Sequence, residues 1–172
     1  MKVLSQQDIE ESNWVGWFND ETMNDFNQHH YFPNTFKNQE QFLEDCISSK
    51  KIQLGILEKE EGDVICGVVS LSEINMLHKN CEIAGIMEVE RSKKNPALFL
   101  EAWSIMIRHG FEELGLYKIF GGSFHPHVAD SLVRIFNFEI EGVRRNQVFK
   151  HNRFHDIVML GVFRDTIRYP KF

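Results

Sequence analysis

The chain has 172 residues, 42% of them hydrophobic, and a formal net charge of −6 with acidic and basic residues interspersed. That length suits a single domain spanning residues 1–172 with a core of its own, and the charge balance excludes the basic surface that nucleic acid demands. No apolar run approaches the roughly 20 residues of a membrane span and the first residues carry no apolar signal core, so a cytoplasmic protein without a membrane partner is expected.

Cys46, Cys66 and Cys81 are odd in number and lack paired spacing. They read as buried small residues in a reducing compartment. His29-His30, His125-Pro126-His127 and the pair His151 and His155 beside Asp156 are the histidine clusters. None supplies a third ligand at a recognisable spacing, so no metal is expected.

Residues 1–4 suit a short edge strand. Between residues 8 and 19, Trp14, Trp17 and Phe18 fall at helical spacing and form one aromatic stripe, ordinarily a core feature. The segment 22–33 is polar yet carries Phe26, His29, His30, Tyr31 and Phe32, a composition that serves either core packing or the lining of a pocket. Residues 38–49 repeat apolar side chains on one face, which predicts an amphipathic helix. From Ile52 the period changes to two. Residues 52–58 and 64–71 predict a hairpin around the 59–63 turn, and residues 80–89 predict a third strand.

The central stretch, residues 80–138, reads strand, helix, strand, helix. Asn95 suits an N-cap, Pro96 the first helical position, and Gly115 a left-handed C-terminal cap, which brackets a helix over residues 97–114. Arg91, Ser92, Lys93 and Lys94 precede it. Together with the free N–H groups of the helix start they read as an anion site suited to phosphate, or as a solvated loop that merely precedes a core helix. A strand over 116–123 and a short helix over 128–136 follow. Strand, helix and strand in that order imply a right-handed crossover and parallel pairing of 81–89 with 117–122. Alternating runs over 139–145 and 148–162 then return the sheet to antiparallel, so the fold class is α+β with a mixed, strongly twisted sheet flanked by helices.

This order resembles the GNAT superfamily of N-acetyltransferases, in particular the branch containing ribosomal-protein and sugar-amine acetyltransferases. The residues that carry the resemblance are Cys81-Glu82-Ile83-Ala84-Gly85-Ile86, Glu101-Ala102, Phe111-Glu112-Glu113-Leu114-Gly115-Leu116-Tyr117-Lys118-Ile119, Ala129, Asn137-Phe138-Glu139-Ile140-Glu141-Gly142-Val143-Arg144 and Asp156. The chain departs from the family at Asn95 and Ala97, where glycines are expected, and at Val133, where a tyrosine is common. Asn137 stands where a glycine is expected, and asparagine also visits positive φ.

The resemblance implies a GNAT-like fold with a parallel strand pair splayed at a cofactor cleft, and acetyl-CoA as co-substrate. It places the pantetheine arm against backbone of Ile86, Met87, Glu88 and Val89, and the phosphates against Lys93, Lys94, Asn95, Ala97 and Leu98, with Arg91 as a further cation. A backbone N–H near Ile86 or Met87 would polarise the acetyl carbonyl. Glu82 and His125 are the candidate bases, with water as a third route. Trp17, Asn19, His29, His30 and Tyr31 are the candidate acceptor contacts. The resemblance favours a nucleotide-linked amino-sugar of surface polysaccharide synthesis as acceptor. Protein N-terminal or small-amine acetylation is the alternative, and a non-catalytic acetyl-CoA-binding module the reading from outside enzymology; a homodimer is compatible with all of these.

Overall fold

The structure, a computed structural model, describes residues 1–25, 31–49, 51–59, 62–125 and 127–171. His29 and His30 lie outside the described residues, as does Pro126. Seven strands hydrogen-bond in the order β1-β2-β3-β4-β5-β7-β6 as one mixed sheet. Contacts group the chain into two compact units, residues 1–72 with 84–106 and residues 73–83 with 107–172. Strands β3 (Val64–Asn75) and β4 (Asn80–Met87) contribute to both.

In the first unit β1 (Lys2–Val3) pairs antiparallel with β2 (Ile52–Glu58), which pairs antiparallel with β3. Among the described residues four helices lie between β1 and β2: α1 (Gln6–Glu11), α2 (Trp14–Trp17), α3 (Glu21–Asn24) and α4 (Phe36–Ser48). Their starts are set locally. Asp20 accepts the Met23 N–H at 3.0 Å, and the Thr35 hydroxyl accepts the Asn38 N–H at 3.2 Å, each filling one otherwise unmet helical donor. The aromatic stripe is core, as its spacing predicts: Trp14 and Trp17 are buried with Leu4, Ile9, Val15, Ile65 and Val68. Phe42 of α4 meets Trp14 edge-on at 6.3 Å.

The entry to α1 is tied by Asp8. Its Oδ2 accepts both the Ser5 N–H and the Ser5 hydroxyl at 2.8 Å, and its Oδ1 accepts from Lys2 Nζ at 2.7 Å. Burial by itself would raise the carboxyl pKa, but the Lys2 ammonium and the two Ser5 donors outweigh it and hold Asp8 below its ordinary value.

In the second unit β4 pairs in parallel with β5 (Lys118–Ser123), in register Asn80 with Lys118, Cys81 with Ile119 and Glu82 with Phe120. The α+β class and its parallel pair are therefore as expected. Helix α7 (Val128–Phe136) occupies the predicted span and closes on Asn137 at φ 64°, the left-handed conformation that asparagine tolerates in place of glycine. Phe136 and Phe138 flank this cap, buried, with rings edge to face at 6.5 Å.

Several boundaries differ from the sequence reading: β3 runs on to Asn75 and β5 starts at Lys118, two residues late. Strand β4 ends at Met87 rather than Val89, and the basic run forms a helix, α5 (Val89–Lys94). The central helix α6 (Pro96–Arg108) passes into a π-helical turn over His109–Glu113 before Gly115 caps the segment at φ 64°. Finally, β6 (Glu139–Lys150) runs through the expected break at residues 146–147, and the turn to β7 (Arg153–Phe163) falls at His151-Asn152. Both turn residues have positive φ, as a tight hairpin turn requires, while Asn146 at φ 51° sits in an irregularity of the ladder where Asp156 accepts its N–H at 2.8 Å. No helix among the described residues is long and apolar enough to cross a membrane.

Replacing Asp8 by Asn is expected to lower stability by about 1 kcal/mol at neutral pH, the usual scale of a lost helix-start interaction. Because the folded pKa is depressed, the wild-type advantage is complete above the ordinary Asp value near pH 4 and vanishes as pH falls through the lower folded value. Urea titrations of both proteins between pH 2 and 7 check this.

Candidate active site

The segment from Gly85 to Leu98, in the first unit, contains the residues named above as candidate cofactor contacts. The Glu88 N–H donates to the Cys66 carbonyl on β3 at 2.8 Å. Main-chain groups of an antiparallel strand alternate in direction, so Ile86 also faces β3, whereas the N–H groups of Gly85 and Met87 face away from it. Met87 is buried, and Ile86, Glu88 and Val89 are partly so. A Cβ on Gly85 would lie 3.0 Å from Trp103 Nε1 and 3.1 Å from both Phe99 Cζ and the Val68 carbonyl oxygen. Glycine thus allows α6 to close on β4 here.

The basic run is organised differently from a free cationic loop. Arg91 donates through Nε to Glu88 Oε2 at 2.7 Å and through a terminal nitrogen to Glu58, the buried last residue of β2. Glu88 Oε1 accepts the indole N–H of Trp17 at 2.8 Å. Two carboxylates, one guanidinium and one indole therefore form a single partly buried network. Cys66 lies next to it, and burial followed by the Glu58 charge pushes its thiol up to about 11. Lys93 pairs with Glu90 at 2.7 Å on the surface.

At the start of α6 the main-chain donors are few. The Asn95 N–H donates to the Arg91 carbonyl at 2.8 Å, Pro96 has no N–H, and the Leu98 N–H donates to the Asn95 carbonyl at 3.3 Å. Ala97, exposed, is the first α6 residue with an N–H to offer an anion.

Glu82 and His125 both belong to the second unit. Glu82 is half-buried on β4 opposite Phe120, on the face away from the buried Cys81 and Ile83. Burial, and after it the Glu82 carboxylate, pushes the Cys81 thiol up to about 12. His125 follows the end of β5. Its N–H donates to the Ser123 hydroxyl at 3.1 Å, its carbonyl accepts from Val128, and its Nδ1 accepts the His127 N–H at 3.1 Å. A neutral imidazole that accepts at Nδ1 carries its proton on Nε2.

Of the expected acceptor contacts, Trp17, Asn19 and Tyr31 lie among the described residues. Trp17 is 1% exposed. Asn19 staples the segment to Asn34, donating to its carbonyl at 2.9 Å and accepting its N–H at 2.7 Å. Tyr31 is exposed. The sequence reading missed Glu58, because a carboxylate at the end of an alternating strand carries no mark of the arginine it will meet 33 residues later.

No family model and no curated protein matches the chain. Among solved structures, a spermidine N-acetyltransferase from Vibrio cholerae in complex with CoA and spermine matches with a TM-score of 0.83 at 19% identity, over 96% of this chain and 95% of that one. A probable acetyltransferase matches with a TM-score of 0.80 at 20% identity, over 95% and 92% of the two chains. A putative acetyltransferase matches with a TM-score of 0.68 at 19% identity, over 88% and 79%. These neighbours are GNAT-type acetyltransferases, and the chain has their fold.

Replacing Arg91 by Gln removes the cation that Glu58 and Glu88 share, and is expected to cost about 2 kcal/mol, the scale for leaving a partly buried polar group unsatisfied. The double substitution Glu58→Gln with Arg91→Gln is expected to regain most of that loss. Chemical denaturation of the three proteins measures both effects.

Proposed function

We propose that the chain is an acetyl-CoA-dependent N-acetyltransferase acting on the primary amine of a small cationic molecule. The observation that carries this is the match, over nearly the full length of both chains, to an acetyltransferase holding CoA and a polyamine. Charge distribution supports a cationic acceptor. Residues 1–49 contain nine acidic side chains and two basic ones, so the net negative charge of the whole chain resides there. The amino-sugar acceptor was favoured by the resemblance, and Trp17, one of its candidate contacts, is buried in the core.

In this reading the pantetheine arm runs along the main-chain edge of Gly85 and Met87, the groups that face away from β3. Strand alternation favours the Met87 N–H over that of Ile86 as the donor to the acetyl oxygen, where negative charge develops as the amine attacks. Ala97, Lys93 and Lys94 serve the phosphates. Cys66 and Cys81 stay protonated at neutral pH, since burial raises both thiols. Neither is therefore a nucleophile. The acetyl group passes directly from the thioester to the amine: the C–N bond forms at the carbonyl carbon, the C–S bond then breaks, and the second proton that the attacking nitrogen sheds goes to the departing CoA thiolate or to solvent.

The amine must be neutral to attack, and its ammonium proton goes to Glu82. His125 is the weaker candidate because its Nδ1 lone pair already accepts the His127 N–H. A second reading, an acetyl-CoA-binding module without catalysis, is favoured by the shortage of main-chain donors between Asn95 and Leu98.

Thermal unfolding with acetyl-CoA, CoA and an unrelated nucleotide tests the cofactor. Selective binding at a hundredfold excess over Kd is expected to add about 2.7 kcal/mol of stability. Release of free thiol with polyamines, amino-sugars and peptide N-termini then tests the acceptor, with polyamines expected to be turned over fastest. Stabilisation without amine-dependent thiol release would establish the binding module instead. Glu82→Gln is expected to lower kcat by at least about 100-fold and His125→Asn by less than about tenfold, the lower bound and less of what general base catalysis contributes.

A further inference from the structure

We propose that Trp17 is a positioning residue for the cofactor side of the site, not an acceptor contact; this rests on the acetyltransferase reading above. Its indole N–H holds Glu88 Oε1 at 2.8 Å, across 71 residues of sequence. The other oxygen of Glu88 holds Arg91 Nε at 2.7 Å, and Glu58 holds the guanidinium from β2.

Met87 and Ala97, the proposed donors to acetyl group and phosphate, lie on either side of α5, a helix of six residues. So short a helix is marginal by itself in water and takes its placement from what it is tied to. Its ties are these. Glu88 immediately precedes it, fixed through its N–H to Cys66 and through its carboxylate to Trp17 and Arg91. Arg91, in its middle, is fixed to β2 by Glu58.

The four polar contacts are complementary in number. One Glu88 oxygen takes the indole and the other the guanidinium, so each partner constrains a different lone pair of one carboxylate. Removing the indole N–H frees one oxygen and lets the carboxylate rotate, which loosens the hold on Arg91. Trp17 itself is 1% exposed, so its ring anchors this chain of contacts in the first-unit core rather than facing solvent.

Trp17→Phe keeps an aromatic ring in the core and removes the donor. With polyamine acceptor saturating, the KM for acetyl-CoA is expected to rise about fivefold to twentyfold, with kcat within about twofold and the acceptor KM unchanged; such a loss matches one hydrogen bond to a charged group. Glu88→Gln, which retains an acceptor for the indole but weakens the tie to Arg91, is expected to act in the same direction. The double variant is expected to be less impaired than the product of the two singles, as for neighbours in one network. Amide hydrogen exchange over residues 88–95, measured without ligand, is expected to quicken in Trp17→Phe while the slowest core amides are unchanged.

A shifted acceptor KM with an unchanged acetyl-CoA KM overturns the assignment, as do multiplicative effects in the double variant. Unchanged exchange over residues 88–95 overturns it whatever the kinetics. Failure of the wild-type protein to bind acetyl-CoA is a different result: it overturns the acetyltransferase reading and the cofactor role with it, while the exchange experiment still reports whether Trp17 holds the segment.

Discussion

The guanidinium of Arg91, held between Glu58 and Glu88, is the constraint on which the organisation of the candidate cofactor segment depends. A charge so enclosed is tolerable only when its hydrogen bonds are met, and meeting them fixes β2, the end of β4 and α5 relative to one another within the first unit. Trp17 extends the same network into the aromatic core. A short helix that would not hold its place alone becomes a defined element because both its start and its middle are tied to strands.

Strand β4 does two jobs, and the alternation of main-chain direction separates them. Glu88 turns its N–H to Cys66 of β3 and so belongs to the sheet, whereas Gly85 and Met87 present theirs on the other side. In the second unit, the same alternation directs the buried Cys81 and Ile83 to one face of β4 and Glu82 to the other. Gly85 adds a steric condition, since any side chain there would press on Phe99 and Trp103 of α6. Backbone groups rather than side chains thus define the edge that the proposed cofactor would follow. The fold is shared with acetyltransferases at about one residue in five.

The charge pattern separates two kinds of interaction. Basic residues before α6 are largely spoken for by neighbours: Arg91 by two carboxylates and Lys93 by Glu90. The acidic excess, by contrast, is concentrated in residues 1–49, where few cations compensate it. Such an excess acts on any mobile cation over distances of about a Debye length, near 8 Å at physiological ionic strength.

Much of the architecture was legible in the sequence because it rests on local periodicity and on residues with restricted backbones. The change of period at Ile52, Pro96 at the first position of α6, Gly115 and Asn137 in left-handed caps, and the span of α7 all express preferences a few residues long. The aromatic stripe at Trp14 and Trp17 announced a core for the same reason. What only the tertiary structure decided are the partners of polar groups. Nothing local shows that Glu58 will meet Arg91, that the Trp17 indole will reach Glu88, or that Asn146 will stay within β6 because Asp156 accepts its N–H. Such contacts depend on which elements the chain brings together over tens of residues. They make the basic run before α6 a tethered helix rather than a loop, and place Trp17 in the core.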